Sequence, residues 1–263
     1  MSGASRPQVV AHRGASADEA EHTLAAYVAA LDAGADGLEC DVRLTADGHL
    51  VCVHDRDLRR TGGRRAIVST MELADLAELD FASWKNPWAD LDDEAPMRDE
   101  ALDRVLTLRK LLETVADYER PVEVAIETKH PTRYGGLVEK RLIEVLRDFG
   151  WDRGKTPARM MSFSFTALQR VARLAPGVPL VMLMDKKSDW SILRSVIPPE
   201  VIVGPGIALL RKHPKFARRI AESGREVHVW TVNTEEELQL CLDLGVRAVI
   251  TDRPAYLLEL LGR

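Results

Sequence analysis

Residues 37–43 read GLECDVR, an apolar run with two carboxylates, Glu39 and Asp41, at alternate positions. Side chains alternate between the two faces of a strand, so we expect both carboxylates on one face and Cys40 on the other. Seven similar short runs recur along the chain, separated by amphipathic helical stretches. They begin near Gln8 (QVVAHRG), Val122 (VEVAIETK), Ala158 (ARMMSFS), Pro179 (PLVMLM), Val201 (VIVGP), Glu226 (EVHVWTV) and Arg247 (RAVITD). Eight βα units in order predict an α/β fold, a parallel sheet closed into a TIM-type (β/α)8 barrel.

An open, doubly wound sheet is the alternative architecture for this order of elements. Such a sheet usually has fewer strands and a glycine-rich fingerprint directly after the first one. The first run of this chain ends instead in His12-Arg13-Gly14, without a G-x-G-x-x-G pattern. The sequence therefore favours the closed barrel.

The spacing of the runs also predicts an insertion. Val122 follows Gly37 by 85 residues, which is far longer than one βα unit. The excess follows an extended run at 49–53 and contains two tryptophans and an acidic patch at 90–94. We therefore predict a single domain over residues 1–263, with a small subdomain inserted after the second strand at roughly 56–105, followed by a barrel helix near 108–119.

Composition and charge exclude several classes of protein. The 263 residues carry 36 Lys and Arg against 41 Asp and Glu, a formal charge of −5, and contain no basic run, which disfavours nonspecific nucleic-acid binding. No segment approaches the ~18 uncharged apolar residues of a membrane span, and residues 1–10 lack the apolar core of a signal peptide. Two of the three scattered cysteines lie in predicted strands, which predicts buried, reduced thiols there and favours a cytoplasmic protein. The oligomeric state has no signal in the sequence.

Carboxylates gather at the C-terminal ends of two predicted strands, where barrel enzymes carry their active sites. They are Glu39 and Asp41 on the second strand and Glu127 on the third. Uncompensated carboxylates would repel one another and be costly to bury, whereas a hard cation such as Mg²⁺ or Ca²⁺ prefers their oxygens. A loop-facing or helix-capping role is the alternative for any one acid, but three on one rim favour a metal site.

Two histidines and two cations fall on the same rim. His12 and His54 end extended runs, and an imidazole suits proton transfer near neutral pH. Either histidine alone is more often structural, but the two beside an acidic cluster predict a general acid and a general base. Asp55 either orients a histidine ring or caps the following loop. Arg13 and Lys129 suit a phosphate and a developing oxyanion, so the combination predicts phosphoryl chemistry rather than hydride transfer or sugar isomerisation.

The remaining residues carry weaker signals. Four histidines have no comparable setting and are expected at the surface: His22, His49, His130 and His213. Thr251, Asp252 and Pro254 are typical of a capped helix start, which is a structural role. Trp230 and Phe165 lie near the ends of strands, where a ring either lines an alcohol pocket or belongs to the core.

Taken in order, the motifs resemble those of the glycerophosphodiester phosphodiesterase family. They are AHRGAS (11–16), EHT (21–23), GLECDVRLTADGHLVCVHD (37–55), EVAIETK (123–129), VHVWTVN (227–233) and ITDRP (250–254). The resemblance spans nearly the whole chain. It implies a TIM-type barrel with a small insertion that hydrolyses glycerophosphodiesters to sn-glycerol 3-phosphate and an alcohol. The family usually has Asn where this chain has His22, a position that flanks the site.

The resemblance also implies a role for each candidate residue. The divalent-metal ligands would be Glu39, Asp41 and Glu127, with Mg²⁺ or Ca²⁺ as the ion and Mn²⁺ as a further choice. His12 and His54 would be the general acid and base. The phosphate would be bound by Arg13 and Lys129, and the glycerol or alcohol side would be lined by Trp230 and Phe165.

Two other functions stay open at this level. A lysophospholipase D-type enzyme would keep the barrel and the metal but take lysolipids, which calls for an exposed apolar rim such as residues 81–88. That segment serves equally as the core of the insertion. A catalytically silent barrel that binds phosphodiesters is the non-enzymatic alternative, but a binding module has no need of two proton-transfer groups.

Overall fold

The computed structural model describes residues 6–88 and 101–263, which form one sheet of nine strands surrounded by helices. The strands are β1 (Gln8–His12), β2 (Gly37–Leu44), β3 (Leu50–Cys52), β4 (Glu123–Thr128), β5 (Ala158–Ser162), β6 (Leu180–Met184), β7 (Ile202–Pro205), β8 (His228–Val229) and β9 (Ala248–Thr251). The helices are α1 (Leu24–Asp32), α2 (Leu73–Ala77), α3 (Leu108–Ala116), α4 (Leu137–Asp148), α5 (Phe165–Leu174), α6 (Lys187–Leu193), α7 (Ile207–Lys212), α8 (Pro214–Ala221), α9 (Glu235–Asp243) and α10 (Pro254–Leu260), with a 3-10 turn at Val68–Thr70. None of the helices in these ranges is long and apolar enough to cross a membrane.

Eight of the strands are parallel and form the barrel. Their order is β7-β6-β5-β4-β2-β1-β9-β8, so the first strand pairs with the last. Two isolated parallel bridges, Val203 to Val227 and Gly206 to Trp230, join β7 to β8 and complete the ring. The predicted TIM-type barrel is confirmed.

The ninth strand and the segment after it lie outside the ring. Strand β3 pairs antiparallel with the end of β2, with Cys52 opposite Val42. The following segment packs a small apolar core of its own, in which Phe81 is 5 % exposed. The insertion at 56–105 is described in part: its residues 89–100, with the acidic patch at 90–94, lie outside the described ranges. Its boundaries stay a prediction.

Hydroxyl side chains start four of the helices. Thr23, Thr107, Ser164 and Thr234 each accept a hydrogen bond from a backbone N–H of the first turn. Such a cap satisfies a donor that the helix itself leaves unpaired, and is worth about 1 kcal/mol.

The two faces of each barrel strand lie in different cores. Outward side chains, including the thiol of Cys40, pack against the helices. All three cysteines are free and buried, as predicted for the two that lie in strands. Inward side chains such as Val10 and Ala125 fill the barrel. Because residues i and i+2 share a face, His12 follows Val10 and Glu127 follows Ala125 on the inner face. The barrel core therefore ends, at its C-terminal rim, in polar side chains.

Candidate active site

Three carboxylates meet at this rim. Strand register sets Asp41 beside Glu127, and one oxygen of each of Glu39, Asp41 and Glu127 lies within 4.8 Å of the others. All three residues are buried. Burial and the charge of Asp41 raise the pKa of Glu39 well above its ordinary value and raise the pKa of Glu127 to about 7. Carboxylates in this state match a hard divalent cation, which would relieve their repulsion.

Cationic side chains surround Asp41. Its Oδ2 lies 3.0 Å from Nε of Arg13, and its Oδ1 lies 2.9 Å from Nζ of Lys129. The same Nζ lies 2.7 Å from Oε1 of Glu127. Burial opposes ionisation of Asp41, but a hydrogen bond from His22 and the charges of Lys129 and Arg13 hold its pKa well below the usual range. Asp41 is therefore ionised throughout the neutral range.

His12 is held by a carboxylate from the far end of the chain. Its Nδ1 lies 2.6 Å from Oδ1 of Asp252, which also accepts from Oγ of Ser16 at 3.0 Å. The other oxygen of Asp252 accepts from Nδ2 of Asn233 at 2.7 Å. Burial raises the pKa of Asp252, but the hydrogen bonds outweigh it and lower the pKa to about 2. The Nε2 of His12 is left toward the acid cluster, 4.0 Å from Oε2 of Glu39.

The expected capping role of Asp252 is therefore wrong. Helix α10 begins at Pro254 without a side-chain cap, and Asp252 points to His12 instead. Thr251 and Asp252 resembled a helix cap in the sequence because a capping residue and a residue that holds a histidine ring both need a side-chain acceptor at the end of a strand.

His54 has a similar arrangement. Its Nδ1 lies 2.8 Å from Oδ1 of Asp55. Of the two roles considered for Asp55, the structure therefore supports that of a histidine partner. The carbonyl of His54 accepts from Nε and Nη2 of Arg43 at 2.9 and 2.7 Å. Burial lowers the pKa of His54. The imidazole is thus neutral near pH 7, with Nε2 free of protein partners within the described residues.

His22 contradicts its expected surface position. It is 5 % exposed, its Nε2 lies 3.0 Å from Oδ2 of Asp41, and its Nδ1 lies 2.8 Å from the hydroxyl of Tyr27. Its φ is +63° and that of Arg13 is +59°, a left-handed backbone that non-glycine residues adopt at a cost. The N–H of His22 donates to the carbonyl of Arg13, which links the two residues. Both are thereby aimed at Asp41.

Sequence reasoning also missed Glu21, the acid that pairs with Arg13 and Arg60. Glu21 accepts from Nη1 of Arg13 at 3.1 Å and from both terminal nitrogens of Arg60 at 2.7 Å. The motif EHT was the available signal, because its Glu21 and His22 each bind a different part of the same network.

The two aromatic candidates are separated by the structure. Trp230 lies over the barrel core, donates from Nε1 to the carbonyl of Gly204 at 2.8 Å, and packs edge to face with Phe163, with ring centroids 5.5 Å apart. Phe163 is 42 % exposed. Phe165 lies elsewhere: it opens helix α5 and packs into the layer between helices and sheet. The ring beside Trp230 is therefore Phe163, because β5 ends at Ser162 and α5 begins at Phe165, which leaves Phe163 in the loop between them.

Comparison with known proteins places these residues in a family. The family model described as the glycerophosphoryl diester phosphodiesterase family matches residues 12–256. The chain belongs to this family. A probable glycerophosphodiester phosphodiesterase 1 of Mycobacterium tuberculosis is 44% identical over 255 residues, covering 95% of this chain and 91% of the relative. A glycerophosphodiester phosphodiesterase of Bacillus subtilis is 31% identical over 93% of this chain and 83% of its own length.

Solved structures of other phosphodiesterases share the fold. A phosphodiesterase of Oleispira antarctica, in complex with the product sn-glycerol-3-phosphate, has a TM-score of 0.79 at 24% identity and covers 98% of this chain and 97% of its own. A glycerophosphodiester phosphodiesterase of Agrobacterium tumefaciens has a TM-score of 0.69 at 25% identity over 95% of this chain and 97% of its own. The predicted enzyme class, a glycerophosphodiester phosphodiesterase, is confirmed. The family is generally dependent on a divalent metal ion, and the cluster of Glu39, Asp41 and Glu127 is a possible site for one.

Proposed function

We propose that this chain hydrolyses glycerophosphodiesters to sn-glycerol 3-phosphate and an alcohol, in a reaction that depends on a divalent metal ion and on two histidines. The observation that carries the proposal is the buried trio of carboxylates beside His12, at the rim where barrel enzymes work. The Oleispira antarctica phosphodiesterase, solved with sn-glycerol-3-phosphate, supports the choice of product.

The metal would be held by Glu39, Asp41 and Glu127. Donors that are all carboxylates suit Mg²⁺ or Ca²⁺, with Mn²⁺ as a further choice. The raised pKa values of Glu39 and Glu127 support this assignment, because they reflect burial and the negative charge of Asp41, which Lys129 and Arg13 do not fully compensate. When bound, the ion would neutralise charge on the phosphodiester and polarise one of its oxygens.

The histidines would move the protons. In both, Nδ1 lies against a carboxylate, Asp252 for His12 and Asp55 for His54, which fixes the tautomer that has its lone pair on Nε2. One Nε2 would accept the proton of the nucleophile, either water or the neighbouring glycerol hydroxyl, and the other would protonate the leaving alkoxide. The hydroxyl route passes through a cyclic phosphate. Arg13 and Lys129 would bind the phosphate oxygens.

The first experiment is the release of sn-glycerol 3-phosphate from glycerophosphocholine and glycerophosphoethanolamine, with Mg²⁺ or Ca²⁺ and with EDTA. We expect release with metal and none with the chelator. His12→Ala and His54→Ala should each lose at least 100-fold in kcat, whereas His49→Ala, whose ring is exposed, serves as the control.

Other results would replace the proposal. Release that survives EDTA would remove the metal from the mechanism, and undiminished turnover by His12→Ala would remove His12. If folded protein releases nothing, lysophosphatidylcholine is the next substrate, and failure there as well would favour a silent, phosphodiester-binding barrel.

A cytoplasmic location belongs to the same proposal. It rests on the sequence, and the three buried, free cysteines are in keeping with a reducing compartment. Fractionation of cells that express the full chain, with detection in the cytoplasmic fraction as the expected result, tests this part independently of the assay.

A further inference from the structure

A cavity of about 280 Å³ opens beside Lys129, between the ends of β2 and β4. One wall comes from Arg56 and from residues 67–69 of the insertion, and the other from the loop at 131–134. The hydroxyl of Tyr134 donates to the carbonyl of Ser69 at 2.8 Å and ties the two walls together. Since Lys129 lines this cavity and also contacts Asp41 and Glu127, the cavity adjoins the proposed reaction centre.

Arg43 reaches the cavity from β2. Arg43 lies two residues after Asp41 on the same face of the strand. It is level with Lys129 on the neighbouring strand, because the residues before them, Val42 and Thr128, are paired. Its Nε and Nη2 are engaged by the carbonyl of His54, and Nη1 has no hydrogen-bond partner among the described residues. Strands β2 and β4 thus place Asp41 and Glu127 side by side, and two residues further along each strand they place the cations Arg43 and Lys129.

Three of the four cations that line the cavity have no carboxylate contact among the described residues, whereas Lys129 is paired with Asp41 and Glu127. The cavity lining includes Arg43, Arg56, Lys129 and Arg133 and no carboxylate. Within residues 6–88 and 101–263, no carboxylate oxygen lies within 4.0 Å of the guanidinium of Arg43, Arg56 or Arg133. Elsewhere on the same rim, Arg13 and Arg60 both pair with Glu21. Three guanidinium groups without a carboxylate contact lie around one cavity and repel one another, and a bound anion would offset that repulsion.

We propose that this cavity binds a second anionic group of the substrate, a phosphate carried by the alcohol. The inference rests on the proposed function and names its substrate class. The phosphodiester itself has one negative charge, which the proposed metal ion, Arg13 and Lys129 would neutralise. The glycerol side carries only hydroxyls, so the alcohol is the part of a glycerophosphodiester that brings a further charge to Arg43, Arg56 and Arg133. The bond that breaks is the same; the phosphorylated alcohol leaves.

A pair of substrates tests the proposal directly. The first is glycerophosphoglycerol, and the second is the same diester with a phosphate on the far hydroxyl of the alcohol glycerol. We expect kcat/KM at least tenfold higher for the second. In the double variant Arg56→Gln/Arg133→Gln, both exposed positions, that preference should fall to about twofold or less, with kcat/KM for glycerophosphoglycerol changed less than twofold. Arg43 is left intact because it holds the carbonyl of His54.

The matched control is Arg64→Gln/Arg65→Gln. These two exposed arginines lie in the same insertion but outside the cavity lining, and their removal changes the net charge equally. The control should keep the wild-type preference, which separates direct contact from long-range attraction.

The remaining outcomes each decide the matter. Equal activity of the wild type on the two substrates, or equal losses on both in the double variant, would overturn the second anion site and leave the proposed function standing. If the wild type with metal cleaves neither diester nor glycerophosphocholine, the proposed function fails instead. Titration of sulfate into the metal-free protein then decides the cavity: weaker binding by the Arg56/Arg133 variant than by the control supports an anion site, and equal binding overturns it.

Discussion

Nδ1 of His12 lies 2.6 Å from Oδ1 of Asp252, although 240 residues separate them in the chain. The contact follows from barrel closure, because β1 pairs with β9 and Ala11 lies opposite Thr251, one residue before each partner. The two side chains come level only when the last strand has joined the first. Formation of the complete barrel is therefore a requirement for orienting His12.

Replacement of Asp252 by Asn should separate orientation from folding. The amide keeps the shape but lacks the charge that fixes Nδ1–H of His12 and would stabilise the imidazolium. We expect kcat to fall about 100-fold or more while KM stays near wild type, as measured by glycerol 3-phosphate release. The melting temperature should fall by only about 2–5 °C in thermal unfolding, because the amide gives up part of the hydrogen bonding that lowers the pKa of Asp252. Ser16→Ala, which removes one donor to Asp252, is the control and should lose less than tenfold. Full activity of Asp252→Asn would show that His12 needs no carboxylate partner.

Glu39→Gln should stabilise the metal-free protein and abolish its response to metal. Burial and the charge of Asp41 raise the pKa of Glu39, so the neutral amide relieves a repulsion. We expect the melting temperature in EDTA to rise by about 2 °C or more. Wild-type protein should gain further stability when Mg²⁺ or Ca²⁺ is added, whereas the variant should not. Tight stoichiometric metal binding by the variant would remove Glu39 from the ligand set.

Metal binding should depend on pH through Glu127. Its pKa in the metal-free fold is about 7, above the ordinary value of 4.5, so the fold favours the protonated carboxyl. This contribution to stability is fully present below about pH 4.5 and is lost as the pH rises through 7. A metal must displace the proton, so we expect the affinity to fall below pH 7. Calorimetry at pH 6 in buffers of different ionisation enthalpy should show proton release.

The variant Glu127→Gln should lower that proton release by about one per metal bound, if binding remains measurable. Glu144→Gln, on helix α4 and away from the cluster, should leave it unchanged. Metal affinity that is flat between pH 5.5 and 8 would mean that Glu127 does not exchange a proton for the ion.

The acid cluster could be predicted from the sequence because it depends on short-range rules. A period of two puts Glu39 and Asp41 on one face, and the parallel order of strands brings Glu127 to the same rim. His22 could not be placed in this way. Its burial depends on a left-handed backbone and on Asp41, which lies on a strand packed against it. Asp252 likewise required the pairing of β9 with β1. Local patterns therefore predicted the strands and the acid cluster, while the partners that orient the histidines and Asp41 needed the closed barrel.

Phe163 and Phe165 offer a test of which ring lies beside the glycerol or alcohol side of the substrate. Phe163 lies in the loop after β5, whereas Phe165 opens helix α5. Phe163→Ala removes a half-exposed ring beside Trp230, so we expect KM for glycerophosphocholine to rise about threefold to tenfold with little change in melting temperature. Phe165→Ala removes a ring packed between α5 and the sheet and should lower the free energy of unfolding by about 2–3 kcal/mol with unchanged KM. Each variant controls for the other in the same kinetic and denaturation measurements. If Phe165→Ala raised KM and Phe163→Ala did not, Phe165 would be the substrate-lining residue, as predicted from the sequence. The position of Phe163 beside Trp230 would then have no role in substrate binding.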